Sequence, residues 1–103
     1  MNLKGKQKRY LRAQAHDMRP LFQIGKDGLD ENWLNQVIDA IDKHELLKVN
    51  ILQNSLVEED EAIEYIQTHS QIQVVQKIGR VLVLYKRSSK PQNRKYSSEV
   101  AKL

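Results

Sequence analysis

A short apolar run that stops at a glycine and resumes four residues later as a helix-period pattern constrains this chain more than any other stretch. Pro20-Leu21-Phe22-Gln23-Ile24 reads as a strand, because apolar β-formers follow a proline and end at a glycine. Gly25-Lys26-Asp27-Gly28 then makes a G-x-x-G turn, and Leu29 to about Lys43 reads as an amphipathic helix. Glycine at each end allows the left-handed backbone and leaves no Cβ in the way of an approaching group. The helix that follows aims its first N–H groups, with their partial positive charge, at the same spot. With Lys26 at the tip, strand–GxxG–helix is a geometry that can receive a phosphate, although two glycines three apart also make ordinary turns.

The charges are segregated along the chain. Met1 to Arg19 carries six Lys/Arg against Asp17 alone. Leu29 to His69 carries ten Asp/Glu against Lys43 and Lys48, and Lys77 to Leu103 carries eight Lys/Arg against Glu99. The formal net charge of +4 therefore hides two basic ends around an acidic middle, a pattern that suggests two faces, one of them fit for a polyanion. At 103 residues one domain with a modest core is expected. The absence of cysteine excludes disulfides and thiolate metal sites and suits a reducing cytosol. No apolar run approaches the ~18 residues of a membrane span, so a soluble, cytoplasmic protein is expected.

In chain order, Leu3 to about Met18 fits a first helix, with Leu3, Gln7, Tyr10, Leu11, Gln14 and Met18 as its inward stripe. Lys4, Lys8 and Arg12 stack four apart beside that stripe, with Lys6 and Arg9 further round. Like charges at this spacing cost an isolated helix about 0.2–0.5 kcal/mol per pair, a cost that an anionic partner would offset. In the second helix Asp30 is the expected N-cap, Leu29 and Leu34 a hydrophobic staple, and Leu34, Val37, Ile38 and Ile41 the core face. Leu46 to Leu52 alternates as a strand, Leu47, Val49 and Ile51 on one face, Lys48 and Asn50 on a face left to solvent or ligand. Ser55 and Glu58 have capping-box spacing before a third helix that runs to about His69 with Ala62, Ile63 and Ile66 inward. Ile72–Ile78 and Val81–Lys86 form a hairpin about Gly79. The order α-β-α-β-α-β-β predicts an α/β (α+β sandwich) fold, a four-stranded mixed sheet packed with helices. Parallel pairing is expected across the two strand–helix–strand units, and an antiparallel last strand. Residues 88–103, basic and almost free of large aliphatics, are expected to be a disordered tail behind a domain at 1–87.

Four stretches, in this order, resemble one family. They are Gly5-Lys6-Gln7-Lys8-Arg9-Tyr10-Leu11-Arg12, Gln23-Ile24-Gly25-Lys26-Asp27-Gly28-Leu29, Glu45-Leu46-Leu47-Lys48-Val49 and Ile78-Gly79-Arg80-Val81-Leu82-Val83-Leu84-Tyr85. Together they resemble the CRM domain, named for chloroplast RNA splicing and ribosome maturation, and in particular its small stand-alone bacterial, YhbY-like members. The resemblance spans about Leu3 to Arg87. It implies a fold like the C-terminal domain of translation initiation factor three and RNA binding without catalysis. It also implies, for bacterial members, an association with precursors of the large ribosomal subunit. Carried over by position, it points to Lys4, Lys6, Lys8, Arg9 and Arg12 on the first helix and to Gly25, Lys26 and Gly28 in the loop. The candidate RNA contacts are completed by Lys48 on the open sheet face and Arg80 after the Gly79 turn. Asp27 departs from the pattern, since a basic or small residue there would suit phosphate better.

Competing classes find less support in the residues. His16, His44 and His69 fall in separate elements, no nucleophile motif or P-loop is present, and Glu58-Glu59-Asp60-Glu61 lacks calcium-loop spacing. No enzyme, cofactor or metal is therefore expected. The partner would be RNA within a pre-ribosomal particle, bound by a monomer. The alternative is a protein-interaction or assembly module whose acidic middle faces a basic ribosomal protein. Trp33 beside the loop fits core packing or base stacking, Phe22 and Tyr10 fit the core, and Tyr85 fits either sheet face.

Overall fold

The computed structural model describes residues 2–103. The chain runs α1 (Gly5–Ala15), β1 (Pro20–Ile24), α2 (Glu31–His44), β2 (Leu46–Ile51), α3 (Glu59–His69), β3 (Gln73–Ile78) and β4 (Val81–Tyr85). A 3-10 turn (Pro91–Asn93) and α4 (Lys95–Val100) follow. The strands make one mixed sheet in the order β1-β2-β4-β3, with β1 parallel to β2 and β4 antiparallel to both its neighbours. The expected parallel pairing of β2 with β3 is not made, because β4 inserts between them. Val81-Leu82-Val83-Leu84-Tyr85 is apolar without interruption and is buried on both faces, whereas β3, with Gln73, Gln76 and Lys77, takes the edge.

Both faces of the sheet are covered. On one, Leu47, Val49, Ile51, Leu82 and Leu84 meet Val37 and Ile41 of α2 and Ala62 and Ile66 of α3. On the other, Leu46, Val75, Val83 and Tyr85 meet Leu11 and Ala15 of α1 and Tyr96 and Val100 of α4. The face expected to be open at Lys48 is therefore a second core. Helix α1 is shorter than expected, and Ala15 rather than Gln14 is its second buried residue. Asp30 caps α2 as expected, its Oδ1 accepting the Trp33 N–H at 2.7 Å. The capping box of α3 sits three residues later than expected: Glu58 is the N-cap and donates its N–H to Glu61 Oε1. Ser55 instead accepts the Val57 N–H within the preceding loop.

The segment expected to be a disordered tail is ordered, and Glu45 is the reason. This residue ends α2 with φ of 63°, a left-handed conformation that usually falls to glycine, and is fully buried. Its carboxylate accepts the N–H groups of Ser88, Tyr96 and Ser97 at 2.7, 2.9 and 2.9 Å and the Ser97 hydroxyl at 2.6 Å. A buried carboxylate is tolerated when hydrogen bonds of this kind replace water. Asp42, one turn earlier, accepts from the Ser89 N–H and hydroxyl, and Gln7 of α1 donates to the Val100 carbonyl at 2.9 Å. Residues 88–100 thus belong to the packed chain, and the boundary expected at residue 87 does not end it.

Candidate nucleic-acid interface

Helix α1 lies across β2, β3 and β4, burying Leu11 and Ala15 and presenting its cations outward. At 100° per residue, Lys8, Arg12 and His16 run along the flank facing β3, with Arg9 on the crown. Lys6 lies about 160° round from Lys8, and Lys4 is the N-cap. The three ion pairs among the described residues are Lys77–Asp60, Arg80–Glu59 and Lys102–Glu99. None touches α1, so Lys4, Lys6, Lys8, Arg9 and Arg12 keep their charge unanswered. Arg12 is partly committed, since its Nε donates to the Val75 carbonyl of β3 at 3.1 Å.

Lys48 is not on an open face. It is 9 % exposed, and its Nζ donates to the His16 carbonyl at 3.2 Å, where a cation answers the partial negative charge of the α1 C-terminus. It helps line a cleft of about 560 Å³ together with Arg12, His16, Asp17, Gln76 and Ile78. Arg80 is likewise drawn inward. Nη1 donates to the Val57 carbonyl at 3.0 Å and to Glu59 Oε1 at 3.4 Å, and Nη2 to the carbonyls of Leu52 and Ser55 at 3.0 and 3.2 Å. The expected RNA contact at Arg80 becomes a pin for the 52–57 loop. The Glu59 carboxyl is held below the usual carboxylate range, first by its own backbone N–H and then by Arg80.

That pinned loop underlies the GxxG turn. A Cβ added at Gly28 would meet Val57 Cγ2 at 3.6 Å, and one at Gly25 would meet Leu52 Cδ1 at 3.8 Å. Gly28 takes φ of +76° and donates its N–H to the Gly25 carbonyl at 3.1 Å, which closes the turn with Lys26 and Asp27 exposed at its tip. Trp33 resolves as a tether: half-buried against the core, its indole N–H donates to the Gln23 carbonyl at 2.9 Å. The turn opens on a shallow cleft of about 260 Å³. Asp30 and Glu31 already answer the positive end of α2, and Asp27, next to Lys26 in sequence, cancels its formal charge, so the loop offers shape and backbone more than charge.

The structure therefore brings Lys8, Arg9 and Arg12 together on one helix. The GxxG loop lies beyond the His16 end of that helix: Lys48 meets the His16 carbonyl partway along β2, and the loop follows β1 four residues past the Pro20–Lys48 pair. Tyr85 lies in the second core, where burial, with Glu45 close by, pushes its hydroxyl up to about 12. Beyond the named site residues, Arg87 follows β4, Arg94 belongs to the basic segment after it, and Leu56 is 94 % exposed on the pinned loop. The signal for the first two lay in the basic run itself; nothing in the sequence singles out Leu56.

Residues 3–86 match the model of the CRS1 / YhbY (CRM) domain family. Over 86 residues the chain is 44 % identical to the "Probable RNA-binding protein YqeI" of Bacillus subtilis, covering 84 % of this chain and 90 % of that protein. It is 35 % identical over 86 residues to an "RNA-binding protein" of Haemophilus influenzae, covering 84 % and 87 %. The solution structure of the hypothetical protein SAV1595 from Staphylococcus aureus superposes with a TM-score of 0.72 at 42 % identity, covering 87 % of this chain and 94 % of that one.

Proposed function

The chain belongs to the CRS1 / YhbY (CRM) domain family, and on that premise we propose that it binds RNA, specifically ribosomal RNA in precursors of the large subunit, and assists their assembly in the cytoplasm. The observation that carries the reading is the row of α1 cations with no carboxylate in ion-pair reach, while every ion pair among the described residues lies elsewhere. Phosphate contacts from such a row supply affinity through counterion release and carry no sequence information. The GxxG turn, closed by its own hydrogen bond and nearly neutral, positions the backbone rather than gripping it. No reaction is assigned to the site. RNA crosslinked to the protein in cells and sequenced from separate gradient fractions tests the reading. Enrichment of large-subunit ribosomal RNA in precursor fractions is expected, and uniform recovery from all RNA would contradict the assembly role.

A second reading rests on the acidic surface. Glu31, Asp39, Asp60, Glu61 and Glu64 are exposed on α2 and α3, across the sheet from α1. A basic ribosomal protein held there would leave α1 free for RNA. Capture of the protein from gradient fractions treated with nuclease distinguishes the two, because only protein contact survives loss of the RNA.

A further inference from the structure

A concavity of about 860 Å³ lies away from the GxxG turn. Leu46 pairs with Tyr85 and Asn50 with Val81, so the end of β4 lies at the start of β2, the opposite end of the sheet from Ile24 and Leu52. There the start of α1, the lead into β3 and residues 85–88 with Arg94 enclose an open groove. Its lining includes Lys8, Lys86, Arg87 and Arg94 and no acidic residue. Arg87 and Arg94 lie past the residues that match the family model, so the groove is completed by the segment that Glu45 holds in place.

These cations are arranged rather than merely present. Ser88 is fixed by Glu45, and its carbonyl accepts from Arg94 Nε at 3.0 Å, which orients the guanidinium. The Lys8 ammonium, the Arg87 guanidinium and the terminal nitrogens of Arg94 have no hydrogen-bond or ion-pair partner among the described residues. Lys86 donates to the Arg87 carbonyl at 3.3 Å and lies near Asp42, whose carboxylate already serves Ser89. Gln71 and Gln73 add amides that can both donate and accept. Lys8 belongs to the groove and also to the α1 flank, where Arg12 and His16 continue into the next cleft, one with Asp17 as its single acidic residue. Lys8 and Arg12, about 6 Å apart along the helix, lead into an acid-free groove, an arrangement that suits a polymer with a charge on every unit.

We infer that this groove is a second RNA-binding site that takes the phosphate backbone of a single strand running off α1, so that the bound RNA extends away from the GxxG turn along the helix. The inference rests on the RNA-binding reading above. The test compares a short oligouridylate of about four nucleotides with a long one of about sixteen, by fluorescence anisotropy over a salt series. In Lys86→Glu/Arg87→Glu the long strand weakens at least about tenfold, and its salt slope becomes shallower by about 1.4, two phosphates at about 0.7 each. The short strand, which α1 alone holds, changes less than about twofold. A control on α2, Lys43→Glu, leaves both unchanged. Wild-type affinity of the groove variant for the long strand overturns the proposal, and so does an equal loss in the control or on the short strand. Wild-type protein that binds neither strand overturns the RNA-binding reading, and the groove with it.

Discussion

Replacing Glu45 with glutamine tests what holds the C-terminal segment. The side chain keeps its size, but one of its two acceptor oxygens becomes an NH₂. Oε2 now serves the Ser88 N–H and the Ser97 hydroxyl, and Oε1 serves the N–H groups of Tyr96 and Ser97. After the change two N–H bonds pass from charged to neutral acceptors, a loss of roughly 1 kcal/mol each, and the buried Ser88 N–H is left facing an amide donor, at about 1–3 kcal/mol. The total is about 3–5 kcal/mol. Docking of residues 88–103 rests largely on burying Tyr96 and Val100, together about 3–6 kcal/mol. The two figures are comparable, so the substitution weakens the segment's hold to near balance while the sheet and α1–α3 persist. Hydrogen exchange by mass spectrometry is the assay. Amides of residues 96–101 lose at least about two powers of ten of protection, at 1.4 kcal/mol per tenfold, while those of β2 and β4 keep theirs. Undiminished protection over 96–101 would refute the claim that Glu45 clamps the segment. Loss everywhere would show that the segment does not open by itself.

Three other outcomes follow from the same contacts. Arg80→Met removes the donors that pin the carbonyls of Leu52, Ser55 and Val57, so it costs about 2–3 kcal/mol and lowers Tm by at least about 8 °C in a thermal melt; an unchanged melt contradicts the pin. Tyr85→Phe is neutral or slightly stabilising in denaturant unfolding, because the buried hydroxyl, beside Ser97, has no partner within hydrogen-bond geometry; a loss above about 1 kcal/mol would show that Ser97 serves it. The Asp42 carboxyl is held below its ordinary value by the Ser89 N–H and then by its hydroxyl. A depressed folded value means that this stabilisation is present above the unfolded pKa, about 3.9, and is lost as pH falls through the folded value. Exchange at residues 88–90 therefore rises below about pH 4, and Asp42→Asn removes that dependence; a flat profile in the parent protein contradicts the assignment.

The parts of the fold that were legible are those whose causes are local. Asp30 caps α2 because it sits three residues before the N–H it accepts, and Gly28 closes the turn because its neighbours leave it the left-handed conformation. The C-terminal segment was not legible, because its partner Glu45 lies 51 residues before Tyr96 and the segment brings only two apolar anchors of its own. Lys48 was misread for a related reason: alternation identifies a polar position, and only the placement of α1 shows that the polar group is spent on a helix end. The central place of β4 was in principle readable, since an unbroken apolar run signals burial on both faces and β3 carries the polar residues of an edge. In the candidate site the α1 cations stand as the sequence places them, whereas Arg80 and Lys48 became supports once packing fixed their surroundings.

The central claim is that α1 holds RNA through its unpaired cations. Its most direct test is the affinity of Lys8→Glu/Arg9→Glu for a long single-stranded RNA, chosen over a change at Arg12 because that side chain also holds the Val75 carbonyl. Loss of two charge-assisted contacts, each about 1.5–3 kcal/mol, predicts a drop in affinity of at least about a hundredfold with an unchanged circular dichroism spectrum. Affinity within about twofold of the parent protein, in a variant that folds normally, would contradict the account.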